Sequence, residues 1–258
     1  MSGDDLDDEE LLRYSRQIVL REVGGTGQLR LRAASVAVVG AGGLGSPAAL
    51  YLAAAGVGRL TVIDDDRVAL DNLQRQVLHD TASVGEPKAR SARRRLGALN
   101  PAVRVDTVER RLDAANAAAL LAGHDVVIDG SDNFSTKFAV NDACVALGMC
   151  AVIGGVVRFD GQVLVVPPGA PCYRCLFGEE PPAGLVPGCR AAGVLGAVAG
   201  MVGSLQAAEA LRHLLGAGEE QGGWVLVLEM LRPRLRRVPF PRDPRCTACA
   251  AAGVRAAR

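Results

Sequence analysis

The run Gly40-Ala41-Gly42-Gly43-Leu44-Gly45 follows the apolar segment Val36-Ala37-Val38-Val39 and opens a helical stretch, and no other feature constrains this chain as strongly. Glycines at the G-x-G-x-x-G spacing let a strand turn sharply into a helix whose first N–H groups lack backbone partners. Such a helix start attracts an anion, so the turn points to a nucleotide phosphate without choosing among NAD, FAD and ATP. Strand, turn, helix (Leu44 to Ala55) and a second strand (Arg59 to Ile63) form one βαβ unit with a parallel strand pair.

The alternation continues through a helix over Val84 to Leu99, a strand over Val103 to Val108, a helix over Ala114 to Ala122, a strand over Asp125 to Asp129 and a helix over Ala139 to Leu147. Two later strands, Ala151 to Val157 and Gln162 to Val166, flank Arg158-Phe159-Asp160-Gly161, where Asp-Gly signals a hairpin turn. The sheet is therefore expected to be mixed. A Pro/Gly-rich connection spans Pro167 to Gly188, and strands are expected over Trp224 to Leu231 and Arg234 to Val238. The fold class is α/β: a Rossmann-like nucleotide-binding fold, parallel in its N-terminal half and antiparallel in its C-terminal strands. One domain is expected over 1–258, with N-terminal helices in 10–34, a nucleotide-binding half in 35–150 and a mixed-sheet half in 151–250.

A chain of 258 residues that is 49% hydrophobic can bury a substantial core. Its 29 basic and 28 acidic residues nearly cancel, which argues against a nucleic-acid partner or an anionic membrane. The first ten residues are acidic and lack a base, the reverse of a signal peptide, so the expected location is the cytoplasm. No charge falls between Arg190 and Glu209, a length close to a membrane span. The stretch is rich in Gly and Ala and ends in Ser204-Leu205-Gln206, which suits a helix packed closely against protein, in this chain or a second subunit.

Four groups follow the glycine turn. Asp64 ends a strand at the distance expected of a ribose ligand. Asp65 and Asp66 suit a solvated loop. Asn72, Arg75 and Gln76 lie in a polar cluster on the side where open α/β sheets bind ligands, and an arginine there can neutralise phosphate. Lys88 begins a helix after Gly85-Glu86-Pro87. Asp132 and Asn133 follow the strand that ends at Asp129; a carboxylate beside phosphates implies Mg²⁺, while the alternative for Asp132 is to cap the next helix. This order describes an ATP site better than a dinucleotide site, which has no obvious use for Arg75, Lys88 and Asp132.

Seven cysteines in a chain of this kind point to metal or redox chemistry before disulfides. Cys172-x-x-Cys175 and Cys246-x-x-Cys249 are two paired-ligand motifs suited to zinc, although widely separated; the alternative is four reduced thiols. Cys189, near Arg190 and a helix start, could have a lowered thiol pKa. Cys144 and Cys150 lie in apolar runs and read as core.

Together these motifs resemble the MoeB/ThiF family, adenylyltransferases of sulfur-carrier proteins related to ubiquitin-activating enzymes. The likeness rests on Arg13-Tyr14-Ser15-Arg16-Gln17, Gly-Ala-Gly-Gly-Leu-Gly, Asn-Leu-Gln-Arg-Gln, Gly-Glu-Pro-Lys, Ser-Asp-Asn, Cys-Tyr-Arg-Cys and Cys-Thr-Ala-Cys. It implies an enzyme that uses ATP and Mg²⁺ to join AMP to the C-terminal Gly-Gly carboxylate of a ubiquitin-like carrier, releasing pyrophosphate. Gly40, Gly42, Gly43, Gly45, Asp64, Asn72, Arg75, Gln76, Lys88, Asp132 and Asn133 would hold the nucleotide and metal. Arg16 would act in trans, so a homodimer is implied, and the four paired cysteines would hold structural zinc. The position of Cys189 forms a thioester or persulfide in some members and is dispensable in others. Pro181, Pro182 and Pro187 suggest a stiffer or shorter crossover than usual. No rhodanese segment follows Cys249, so a separate sulfur donor is expected. An NAD-dependent oxidoreductase, a non-catalytic nucleotide-binding scaffold, and a relative that adenylates a free peptide or tRNA are the competing readings. His79, His124 and His213 read as structural or surface.

Overall fold

The computed structural model describes residues 5–182, 192–219 and 222–250. Three short helices, α1 (Asp8–Arg13), α2 (Ser15–Ile18) and α3 (Gly24–Ala33), precede the alternating part of the chain. There follow β1 (Ser35–Val39), α4 (Gly45–Ala54), β2 (Arg59–Ile63), α5 (Lys88–Leu99), β3 (Arg104–Val108), α6 (Ala117–Leu121), β4 (Val126–Asp129) and α7 (Phe134–Leu147). The remaining elements are β5 (Cys150–Val157), β6 (Asp160–Val166), α8 (Tyr173–Phe177), α9 (Gly196–Leu215), β7 (Trp224–Glu229) and β8 (Arg234–Pro239).

One eight-stranded sheet has the order β3-β2-β1-β4-β5-β6-β7-β8. The pairs from β3 to β5 are parallel and those from β5 to β8 antiparallel, as the sequence pattern leads one to expect. Both faces of the parallel half are covered. Val36 and Val38 of β1 face the core under α4, α5 and α9, while Ala37 and Val39 face the core shared with α6, α7 and α8. Apolar runs rather than alternating patterns follow from that double burial. The charge-free stretch lies largely within α9, whose Val198, Val202, Gln206, Ala207 and Ala210 are buried. Among the described residues no helix is long and apolar enough to cross a membrane.

Three local expectations are corrected. Helix α5 starts at Lys88, as the reading of Gly85-Glu86-Pro87 has it, and not at Val84, because Gly85 has φ +89° and Pro87 takes an extended conformation at the cap. Helix α7 starts at Phe134, earlier than Ala139, because the Asn133 side chain caps it. The hairpin is present, but its turn is Arg158-Phe159, with Arg158 at φ +55°, and Asp160-Gly161 begins β6. Arg158 is held there by hydrogen bonds to Gly193 and Leu195. The glycine at 161 answers a packing demand instead. A Cβ there would lie 2.3 Å from Val202 Cγ2 on α9. Gly161→Ala should therefore cost about 1–3 kcal/mol of stability, read as a lower urea midpoint with unchanged slope.

Candidate active site

Strand order reverses between β1 and β4, and open α/β sheets bind ligands at the carboxyl ends of strands beside such a reversal. Both strands end in tight loops that abut. Gly40 has φ +86°, and a Cβ on it would lie 3.1 Å from the Gly130 carbonyl oxygen. A Cβ on Gly45 would stand 1.7 Å from Gly40 O, so only glycine closes the turn. No side chain caps the amino end of α4; the Ser46 N–H is taken by the Gly42 carbonyl at 2.9 Å and Pro47 has none, so the N–H groups without a partner among the described residues are those of Gly42, Gly43, Leu44 and Gly45, in the turn itself.

The side chains gather around this turn. Asp64, at the end of β2, accepts from Ala41 N at 2.7 Å and from Asp66 N at 2.8 Å. Burial raises its pKa, opposed first by the Lys88 charge and then by those two bonds. Lys88 is 5% exposed and its Nζ pairs with Asp66 Oδ2 at 2.9 Å, so Asp66 is more than a solvated loop residue. Asp65 is exposed. The Arg75 stem packs on the turn, since a Cβ on Gly43 would lie 3.4 Å from Arg75 Cγ. Its guanidinium donates to the Asp71 carbonyl at 3.0 Å. Asn72 is buried and donates to Asp71 Oδ1 at 3.0 Å. Gln76 is 4% exposed, and its Oε1 is buried with no partner, as is Ser131 Oγ. Both atoms flank the glycine turn, which fits a crevice built to receive a polar ligand.

Asp132 is exposed and makes no hydrogen bond among the described residues. The helix cap is Asn133, whose Oδ1 accepts from Thr136 N at 2.9 Å, so Asp132 is spared that role. Asn133's side chain is taken up by the cap.

Arg16 is not brought to this cluster. Its neighbours Tyr14 and Gln17 anchor the motif: Asn100 Nδ2 donates to Tyr14 Oη at 2.8 Å, and Gln17 Nε2 donates to the Ala55 carbonyl at 2.8 Å. Ala55 lies at the far end of α4, a ten-residue helix about 15 Å long. Arg16 itself is exposed and has no partner among the described residues.

Sequence reasoning missed two supports, Lys137 and Gln206, and read a third, His79, only as structural or surface without its partners. Lys137 is 7% exposed and donates to Asp129 Oδ2 at 3.1 Å, Ser131 O at 2.8 Å and Gly154 O at 2.6 Å. Gln206 of α9 donates to the Asp129 and Val152 carbonyls at 2.7 and 2.9 Å. His79 lies under the glycine turn. A lysine and a glutamine inside helical runs read as surface residues, and only the sheet's placement reveals otherwise.

On the opposite face, Cys172, Cys175, Cys246 and Cys249 gather with all four Sγ atoms within 4.8 Å of one another. The Cys172–Cys246 and Cys175–Cys249 separations are 3.5 and 3.3 Å. Tetrahedral Zn–S bonds of ~2.3 Å imply S···S edges of ~3.8 Å, so the quartet could hold a metal with little adjustment. Helix α8, which carries Cys175, is fixed to α7 by a bidentate Arg174–Asp142 pair at 2.7 Å. Cys144 and Cys150 are buried core residues; burial raises both thiols, Cys150 to about 12. His124 is buried and bonded to Leu121 O and Thr61 Oγ1, a structural arrangement. Cys189 lies outside the described residues.

The fold and crevice define a nucleotide-binding α/β protein of the doubly wound kind. The chain belongs to the ThiF family, which it matches over residues 14–248. It is 52% identical over 247 residues to the sulfur carrier protein adenylyltransferase of Thermus thermophilus, covering 93% of this chain and 91% of that one. It is 49% identical to the SAMP-activating enzyme E1 of Haloferax volcanii, covering 96% and 92%. A match of 49% to the pig (Sus scrofa) adenylyltransferase and sulfurtransferase MOCS3 covers 95% of this chain and 54% of that protein. In fold it resembles E. coli MccB crystallised with AMPCPP and MccA, with a TM-score of 0.80 at 23% identity, covering 92% of this chain and 74% of that one.

The buried Lys137–Asp129 pair yields a stability test. Lys137→Met leaves the Asp129 carboxylate buried and uncompensated, an expected loss of about 3–5 kcal/mol in urea unfolding. Adding Asp129→Asn should recover at least half of that loss, because the amide keeps an oxygen for Ser131 N without the charge.

Proposed function

We propose that this chain adenylates the C-terminal Gly-Gly carboxylate of a ubiquitin-like sulfur-carrier protein, consuming ATP and releasing pyrophosphate. The observation that carries the reading is the convergence of the uncapped α4 start, Arg75, Lys88 and Asp132 on one crevice, in a chain 52% identical to a sulfur carrier protein adenylyltransferase. The nucleotide-binding half is residues 35–150 of a single 1–258 domain, beside N-terminal helices and a mixed-sheet half.

Each residue has a task in that chemistry. Asp64 faces the ribose, with two of its lone pairs already committed to Ala41 and Asp66 N–H groups and others free. The N–H groups at the start of α4, with Asn72, Arg75, Gln76 and Lys88, receive the phosphates. Lys88 exchanges its exposed partner Asp66 for a phosphate oxygen, a small rearrangement because the ammonium already lies in the crevice. The attacking carboxylate is ionised at neutral pH, so no general base is needed. Cancelling its repulsion from the triphosphate and holding the attack in line are what these groups contribute. Asp132, an unpartnered carboxylate beside the phosphate-facing turn, fits a Mg²⁺ ligand; the ion would neutralise charge on the triphosphate.

Arg16 supports a homodimer. It follows Tyr14 and precedes Gln17, which anchor to the end of α4 remote from the glycine turn, and its exposure there is compatible with service to the crevice of a second copy. Exposed Leu12 and Val19, each 78% exposed, flank it on α1 and just beyond α2, as an interface between copies would require. The four paired cysteines fit structural zinc, which would crosslink the 246–249 tail to α8 and leave no open coordination position. We assign the protein to the cytoplasm and its sulfur to a separate donor, in keeping with the likeness to a relative named for adenylyl transfer alone. Molybdopterin, thiamine, cysteine and thiolated tRNA synthesis are the candidate pathways for the carrier, and Cys189 is a candidate for covalent attachment.

The test is carrier-dependent ATP–pyrophosphate exchange. Asp132→Ala and Arg16→Ala should each lower it by about a hundredfold or more while the protein stays dimeric. Mixing the two variants should restore about a quarter of wild-type activity, because half the dimers would hold one intact site. No recovery on mixing would refute the trans role. Separately, Cys246→Ser should lose bound zinc by metal analysis and lower the thermal midpoint, while the nucleotide crevice on the other side of the sheet keeps its ATP affinity.

A further inference from the structure

His79 is 7% exposed and is used by none of the steps above. Its Nε2 lies 2.9 Å from the Ala41 carbonyl oxygen and its Nδ1 lies 2.9 Å from Ser91 Oγ. A carbonyl oxygen only accepts, so Nε2 carries the proton, and Nδ1 of the neutral ring accepts from the Ser91 hydroxyl. Burial holds the imidazole's pKa below the ordinary histidine value; the bond to Ala41 opposes this, and the Lys88 charge on α5 adds to it. Asp80 and Glu86, in the segment leading to α5, act in the opposite sense to Lys88.

The two partners lie on the two elements that the triphosphate must engage together. Ala41 is the second residue of the glycine turn. Ser91 is fully buried on α5, one helical turn beyond Lys88. Ala41 is also held from its other side, through its N–H to Asp64 Oδ2 at 2.7 Å. The backbone N–H of His79 donates to the Gln76 carbonyl at 3.0 Å, so the same residue closes the loop that carries Arg75 and Gln76.

We propose that His79 is a positioning residue for the nucleotide: its Nε2–H holds the Ala41 peptide in the orientation at which the N–H groups of the glycine turn and Lys88 reach the same phosphates, while Ser91 orients the ring for that bond. This rests on the adenylation reading and deepens it. A bond that orients a peptide plane acts on ATP and has no lever on the carrier. Its two nitrogens also make separable contributions, because a glutamine amide reaches the place of Nε2 and an asparagine amide the place of Nδ1.

The experiment compares His79→Gln, His79→Asn and His79→Leu. ATP affinity is measured by calorimetry without carrier, and KM for ATP and for carrier by pyrophosphate exchange. Asn and Leu should weaken ATP binding and raise its KM about tenfold, equivalent to ~1.4 kcal/mol, with carrier KM unchanged. Gln should stay within about threefold of wild type, because it preserves the bond to Ala41. Equal impairment of Gln and Asn, or equal rises in KM for both substrates, would overturn the proposal. Should Leu fail to fold, the Gln–Asn contrast still decides. A wild-type protein that binds ATP but exchanges no pyrophosphate with any Gly-Gly carrier would defeat the adenylation reading alone, since the calorimetric comparison at His79 stands apart from turnover.

Discussion

Two backbone loops meet at van der Waals distance where the strand order reverses, and each must give up ladder hydrogen bonds to do so. A Cβ at Gly45 would overlap Gly40 O, and one at Gly130 would lie 2.8 Å from Gly45 N. Peptide groups buried in such a place need other partners. The chain supplies them with polar side chains from outside the loops. Asp64 takes the Ala41 N–H; His79 and Ser46 take its carbonyl. Lys137 takes the carbonyls of Ser131 and Gly154, and Gln206 those of Asp129 and Val152. Asp64, His79, Ser46, Lys137 and Gln206 thus satisfy backbone groups at and beside the two loops.

That division separates residues that support the crevice from residues displayed in it. Lys137 and Lys88 are both nearly buried cations paired with an aspartate, yet their partners differ. Asp129 is fully buried, so the Lys137 pair is fixed and breaking it leaves a charge without solvent. Asp66 is 60% exposed in its side chain, so Lys88 can release it to water at little cost. The first pair suits a scaffold and the second suits a group that exchanges partners when an anion arrives.

How much of this was legible in the sequence depended on whether a residue's role was local. The glycine turn, Asp64 at a strand end and the four cysteines all declared themselves through spacing, because strand-to-helix turns and paired thiolates are short-range devices. The alternation of strands and helices, the mixed sheet and the buried charge-free helix followed from hydrophobic runs and a hairpin signal, whereas the strand order came only with the structure. Asp-Gly at 160–161 misled, because Arg158 is held at positive φ by Gly193 and Leu195, residues far along the chain, and Gly161 is small for the sake of Val202. Lys137, Gln206 and His79 were opaque for the same reason: their partners lie on other elements. Arg16 carried no local signal at all, and only the family resemblance set it apart.

On the proposed reading, Arg16 is the reason a chain with one complete fold would need a second copy for one complete site. The N-terminal motif splits its residues by direction: Tyr14 and Gln17 turn inward to Asn100 and Ala55, while Arg16 projects outward. Inward anchors fix the helix backbone, so that only the arginine side chain's own rotamer freedom would be lost on binding. Because the anchors hold that segment at the end of α4 remote from the glycine turn, the proposal gives the charge to the nucleotide of a second copy. A site that gathers its positive charge from two chains has full strength only in the dimer, so a monomer would bind the same triphosphate with fewer cations to stabilise the charge that builds as pyrophosphate departs. Adenylation would then be coupled to assembly through one arginine rather than through any change of fold.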